Sequence, residues 1–232
     1  MRQIPISSSL LTYLDELEFT EAATAADPQA AEFAPAFEEE IAGWPEVSQR
    51  ERAARRAITR ADAVVAVGNG QLDATTLRFG DHCFLETGRD RKGAAFRKFF
   101  PTAPSAFVNG ALRKQCERTR DVIVPEIAKL AADSPLRAYA TPLLDGAKAA
   151  LAALAARARA EGNAATVASD VREWKEGVNR LRTTTHAELV KVAVERRLGR
   201  AWPEMFFRSA SGSAEVDDAE PVDPPPAPAP TG

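Results

Sequence analysis

The sequence predicts an all-α fold: an elongated antiparallel bundle of about four long helices with coiled-coil-like packing, an acidic N-terminal helical arm and a disordered C-terminal tail. Three observations lead there. From Ala164 to Val192 the residues Val167, Val171, Trp174, Val178, Leu181, Thr185 and Leu189 recur at steps of three and four, the spacing that keeps one helical stripe against a partner. The composition is 45% hydrophobic but only 7% aromatic, with much of the apolar content alanine, which suits packed helices better than a β-sandwich. No stretch alternates polar and apolar residues with period two over a useful length.

Around that stripe, Asp170, Arg172, Glu173, Lys175, Glu176, Asn179 and Arg180 read as the solvated face. Such a helix cannot bury its stripe alone, so the other elements must cover it.

Taken from the start, Ser9 precedes Leu10, Leu11, Leu14 and Leu17, a short amphipathic helix with a serine cap. Residues 20–45 form an arm with a helical piece near 29–43. Its Phe33, Phe37, Ile41 and Trp44 make an apolar face that docks on the bundle. Pro45 sets the start of a long helix over 46–87, because proline fits the first turn. Ile58, Ala61, Val65, Gly68, Leu72, Thr75, Phe79 and His82 form its stripe, and the register held across Gly68-Asn69-Gly70 implies continuity, with either a bend or a close helix crossing there. Gly88 ends it as a left-handed cap.

A loop with a short helical piece near 92–99 leads to a helix over 110–132, where Pro125 implies a kink. Ser134-Pro135 starts a helix over 135–161. Its stripe of Leu136, Tyr139, Leu143, Leu144, Ala147, Leu151, Leu154 and Ala158 falls out of phase with Val167 and Val171, so a turn is expected at Glu161-Gly162-Asn163, with one unbroken helix as the alternative. The last helix covers 164–198, with Gly199 behind it. Two long helices thus end in glycine, then a basic segment, then a phenylalanine pair, Phe99-Phe100 and Phe206-Phe207. The predicted core comprises Val65, Leu72, Phe79, Ile123, Leu151, Leu154, Val167, Val171, Trp174, Val178 and Leu181.

Charge divides the chain into an acidic arm (1–45), a basic bundle (46–208) and a proline-rich tail (209–232). Residues 1–46 hold ten acids against one base, a net of −9. Residues 47–208 hold 29 bases against 18 acids, a net of +11, and the tail holds five acids and no base. The tail has too little apolar surface to offset its ordering entropy. The N-terminal segment is no secretory signal, because Asp15, Glu16 and Glu18 interrupt it, and no apolar run reaches the roughly 18 residues of a membrane span. Two cysteines without a CxxC fit reduced thiols, and the expected location is cytoplasmic, in a bacterium with a GC-rich genome.

Catalytic signatures are missing from this pattern. Asp81-His82-Cys83 is the only tight group of ligand types, yet neighbours on a helix point apart. Neither His82 nor His186 completes the Glu-x-x-His spacing of bundle metal sites. No metal, cofactor or catalytic residue is expected, and an enzyme is not. The basic segment 89–120 is the better candidate: Arg89, Arg91, Lys92, Arg97, Lys98, Arg113 and Lys114, with Phe96, Phe99, Phe100 and Phe107 interleaved, form a polyanion-binding pattern of phosphate neutralisers beside stacking rings. The leading expectation is a non-catalytic interaction or scaffold protein that binds a protein partner or itself. Nucleic acid or another polyanion, regulated by the acidic ends, is the alternative, and a metal or cofactor bundle ranks third. No membrane partner is expected.

Overall fold

The computed structural model describes residues 1–208, and the expected disorder of 209–232 lies outside the described residues. The elements are α1 (Leu10–Ala26), α2 (Ala34–Glu86), α3 (Ala94–Arg97), α4 (Pro104–Val108), α5 (Leu112–Arg118), α6 (Val124–Ala128) and α7 (Ala140–Glu195). One π-helical turn, Thr119–Ile123, joins α5 to α6, and 3-10 turns cover Ala31–Phe33, Pro135–Tyr139 and Trp202–Phe206. Among the described residues there is no strand, and the all-α bundle is as the sequence predicts.

The chain forms two compact units. Among the described residues, the first joins Met1–Glu46 to residues 172–208, and the second is Val47–Val171. In the second, α2 and α7 run antiparallel. Leu72 packs on Gly146, Gly68 on Ala150, and Asp62 pairs with Arg157 at 2.9 Å; nearer Val47, Arg50 pairs with Asp170. Partner numbers fall along α2 as they rise along α7. An added Cβ on Gly68 would lie 3.9 Å from the Ala150 Cα, so of the two expected alternatives the glycine serves a close crossing.

Several boundaries differ from the sequence expectation, among them the helix start at 135, where Pro135–Tyr139 is a 3-10 turn and α7 begins at Ala140. The long helix begins at Ala34, not Pro45, because Pro35 takes the first-turn position and the buried Phe37 anchors the turns before Pro45, which sits inside α2. The expected turn at 161–163 is absent: α7 is one helix of 56 residues. Its seam runs through Leu143, Ala147, Ala150, Ala153 and on to Val167 and Val171, all buried, while Leu151 and Leu154 lie half-buried on its flank. After Leu143, alanines and not leucines carry the phase, because small side chains let α2 approach. The expected helix over 110–132 is broken into α5, the π turn and α6. Pro125 cannot donate, and its ring would crowd the Asp121 carbonyl, so the widened turn accommodates it. The end of α7 is Glu195, with Arg197 and not Gly199 in the left-handed conformation.

Every predicted core residue is buried or half-buried. Leu72, Phe79, Ile123, Val167, Val171 and Val178 are buried, and Val65, Leu151, Leu154, Trp174 and Leu181 are half-buried. The α2 stripe drifts at its end, where Thr76 and Cys83 point inward in place of Thr75 and His82.

The second unit is closed by an aromatic plug. Phe79 meets Phe99 edge-on at 5.3 Å and lies 5.6 Å from both Phe100 and Tyr139. Pro104, at the start of α4, packs against the bare backbone of Gly80, where an added Cβ would sit 2.6 Å from the proline Cγ. In the first unit the Ser9 side chain caps α1 by accepting from the Thr12 N–H, and Trp44 donates to the Leu10 carbonyl at 3.0 Å. Tyr13, Leu17 and Phe37 close over Val178, so the apolar face of the arm is packed within this unit.

Candidate interaction surfaces

The seven predicted polyanion-binding cations sit around the plug of the second unit, and all are exposed. Gly88 turns left-handed (φ 76°) at the end of α2, followed by Arg89 (φ 59°), whose N–H returns to the Phe84 carbonyl at 2.9 Å. Arg91 lies over the Phe84 ring at 5.0 Å, and the backbone of Lys92 donates to the Asp90 carboxylate. Arg97 and Lys98 end α3, and Arg113 and Lys114 open α5. None of the seven forms an ion pair among the described residues, whereas nearby Arg120 pairs with Asp121 and Lys129 with Glu126. The Lys129 hydrogen bond holds the Glu126 carboxyl below its usual range, with Lys98 adding to the effect.

The interleaved rings are not available for stacking on bases. Phe96, Phe99 and Phe100 are buried in the plug and Phe107 is half-buried against Phe100. The aromatic half of the nucleic-acid pattern is therefore core, and only the cationic half faces solvent.

The groups with nucleophile or ligand chemistry are dispersed. His82 is exposed, with Nδ1 3.0 Å from the Tyr139 hydroxyl. The Cys83 thiol is buried and pushed up to about 11 by loss of solvent. Burial also raises Cys116, with help from the Asp73 and Glu117 charges. Thiols held protonated in this way are poor nucleophiles. No three His, Cys, Asp or Glu side chains converge as metal ligands among the described residues. Beside Cys116, Asp73 accepts from Asn69 at 3.0 Å and from the buried Gln115 at 2.7 Å, a polar tie between α2 and α5.

The outer side of α2 is a second surface. Val64 and Val67 are 59% and 60% exposed, and Leu85 is exposed at the far end of the helix. At 100° per residue, Arg60, Val64, Val67, Gln71, Arg78 and Leu85 share a face turned well away from the buried Leu72 and Phe79. Among the described residues, Arg60 has no ion-pair partner.

The first unit holds the polar centre that the sequence reading missed. Asn179, assigned there to the solvated face, is buried. Its amide clamps the peptide of Ile4, accepting from the Ile4 N–H at 2.9 Å and donating to the Ile4 carbonyl at 2.8 Å, and it also meets the Tyr13 hydroxyl at 3.1 Å. One turn on, Arg182 is 2% exposed. It pairs with Glu16 at 3.0 Å, donates to the Glu16 carbonyl and the Thr20 hydroxyl, and stacks its guanidinium over Phe207 at 5.2 Å. Burial pulls its proton affinity down and the Glu16 charge partly restores it. The available signal was the need to cover this half of α7 on two sides, by α1 and by the start of α2, which widens the buried face beyond a single stripe.

His186 Nε2 lies 2.8 Å from Glu204, which also accepts from the Met1 ammonium at 2.7 Å. These two hydrogen bonds, the ammonium's first, hold the Glu204 carboxyl below its usual range. Two grooves open in this unit. One of about 600 Å³ runs beside Ile4 and Asn179, and one of about 450 Å³ lies at the end of α7. No described helix is long and apolar enough to cross a membrane. Comparison of the chain with protein-family models, with curated proteins and with solved structures finds no match.

Proposed function

We propose that this chain is a non-catalytic interaction protein that presents the outer face of α2 to a protein partner. The observation that carries this reading is the pair Val64 and Val67, one turn apart and each more than half exposed on a helix whose opposite side is already packed. Arginines at 60 and 78 share the face, so an acidic apolar partner surface complements it better than a second copy of the same cationic face would. A photo-crosslinking residue at position 67, introduced into the full chain in its native host, should trap one defined protein. Val64→Glu with Val67→Glu should abolish the adduct while leaving the melting temperature unchanged. If no defined adduct forms, or if the double variant still gives it, the reading fails. Sedimentation of the purified chain separates self-association from binding to another protein.

A second reading, polyanion binding at the plug of the second unit, is favoured by the seven exposed cations, none of which forms an ion pair among the described residues. With the phenylalanines buried, contact would be to phosphates and not to bases, so binding would be sequence-independent and steeply salt-dependent. At about 150 mM salt the Debye length is near 8 Å and loose attraction is screened. Retention of duplex DNA or RNA by the full chain under that condition supports the reading, with Arg97→Ala and Lys98→Ala each reducing the salt slope by about 1. No retention removes it.

A further inference from the structure

The two long helices end in the same hydrogen-bond pattern but with different residues at the left-handed position. At the end of α2, Gly88 takes φ 76° and the following N–H, that of Arg89, returns five residues to Phe84. At the end of α7, Arg197 takes φ 57° and the Leu198 N–H returns five residues to Ala193 at 2.8 Å. Glycine is the residue that this position favours, since a Cβ there costs about 1 kcal/mol. A cation placed only to complement the helix dipole could sit anywhere in the last turn. Arg197 instead occupies the strained position, and from it lines the 450 Å³ groove.

That groove is apolar along the α7 side and cationic at its rim. Val190, Ala193, Val194 and Leu198 line it, with Val194 74% exposed. Arg197 and Arg200 flank it, and neither forms an ion pair among the described residues. Glu204 on the opposite wall is already engaged by the Met1 ammonium and His186, so the rim remains cationic toward an incoming group. The apolar side chains line a concavity, which fits inserted side chains better than it fits the plane of a bilayer.

We infer that this groove is a docking site for a short segment of a partner protein in which bulky aliphatic residues alternate with carboxylates. The aliphatic groups would cover Val190, Val194 and Leu198, and the carboxylates would pair with Arg197 and Arg200. The volume falls within the roughly 300–1,000 Å³ of binding pockets. The last 24 residues of this chain are also acidic, but Val216 and Val222 are their only larger aliphatic groups, so they match the apolar floor less well. This site shares no residue with the outer face of α2 and does not depend on it.

The test uses the full chain and a fluorescein-labelled twelve-residue peptide of alternating leucine and aspartate, read by polarisation at about 150 mM salt. Saturable binding is expected, lost when asparagine replaces every aspartate in the peptide. Arg197→Gly is the deciding variant, because glycine suits φ 57° and the melting temperature should hold or rise. It should weaken the peptide by about tenfold or more. Val194→Asp, at a largely exposed position, should weaken it as well. The inference is overturned if the peptide does not bind, if Arg197→Gly binds it as well as the parent, or if the asparagine peptide binds equally. It is also overturned if vesicles of phosphatidylserine and phosphatidylcholine bind in a Val194-dependent way and the peptide does not, which assigns the face to lipid. A tail variant with Glu215→Gln, Asp217→Asn, Asp218→Asn and Glu220→Gln should bind the peptide like the parent. A gain of about tenfold would instead assign the groove to the chain's own C-terminal segment.

Discussion

The two units solve the same problem with different chemistry, although α2 and α7 contribute to both. The second unit is held by shape. Phenylalanines interlock around Phe79, Pro104 fills the space over Gly80, and alanines and glycines let α7 approach α2. The first unit is held in part by polarity. Its centre contains a buried amide, a buried guanidinium, Tyr13 and the threonines Thr20 and Thr24, each of which must find a partner or raise the energy of the fold. A shape-held core is damaged by adding volume, whereas a polar core is damaged by removing one member of a pair.

The largest effect is expected in the first unit. Arg182→Ala leaves Glu16 without its cation and Thr20 without a donor, and should lower stability by about 3–5 kcal/mol. Replacing the pair together, Arg182→Met with Glu16→Gln, should restore most of the loss, because the desolvation of both charges disappears. Urea denaturation of the three chains decides the matter. A double variant no more stable than Arg182→Ala would mean that packing over Phe207, not the ion pair, is what counts, and the contrast between the units would collapse.

The next effect sharpens the contrast from the other side. In α2, Gly80→Ala should cost about 1–3 kcal/mol, since the new methyl would overlap the Pro104 ring. Gly70→Ala, with nothing within 4 Å, should instead stabilise the chain by about 1 kcal/mol through helix propensity alone. Opposite signs for the same substitution ten residues apart would be direct evidence that shape governs the second unit. If both variants are stabilised, the Gly80–Pro104 contact is looser than described.

The smallest effect concerns pH. The Glu204 carboxyl titrates below its unfolded value because the Met1 ammonium and His186 hydrogen-bond to it. Its contribution is therefore present above the ordinary carboxylate range and is lost as pH falls through the lower, folded value. The side chain is about half exposed, so solvent screening keeps the contribution modest. In a comparison of parent and Glu204→Gln, the difference in melting temperature should be present at neutral pH and shrink as pH drops below about 4. A difference that is constant across this range would show that the carboxylate charge contributes nothing.

Much of the fold was legible because helices announce themselves by period. The stripe from Val167 to Leu189 is buried or half-buried throughout, the Ser9 cap and the Gly88 terminator stand where the residues place them, and the Pro125 disruption appears as a π turn. What was misread follows from side-chain size. Beyond Ala147 the seam of α7 passes through Ala150 and Ala153, which are nearly silent in a reading weighted toward large apolar groups, so Leu151 and Leu154 suggested a phase break that the backbone does not make. Pro45 read as a helix start because proline marks first turns, but Pro35 had already filled that role.

For the interaction surfaces, the sequence by itself determined the charge segregation and the clustering of seven cations between Arg89 and Lys114. Tertiary structure alone decided which polar residues go inside and which apolar ones stay out. Asn179 and Arg182 are buried because two elements cover α7 there and because Ile4, Glu16 and Thr20 supply partners from far away in the chain. Val64 and Val194 stay exposed because no described element covers their side of the helix. Phe96, Phe99 and Phe100 could have stacked on a ligand as far as spacing was concerned; the plug around Phe79 claims them instead. Burial depends on which segments meet, and partners distant in sequence leave no periodic trace in either segment alone.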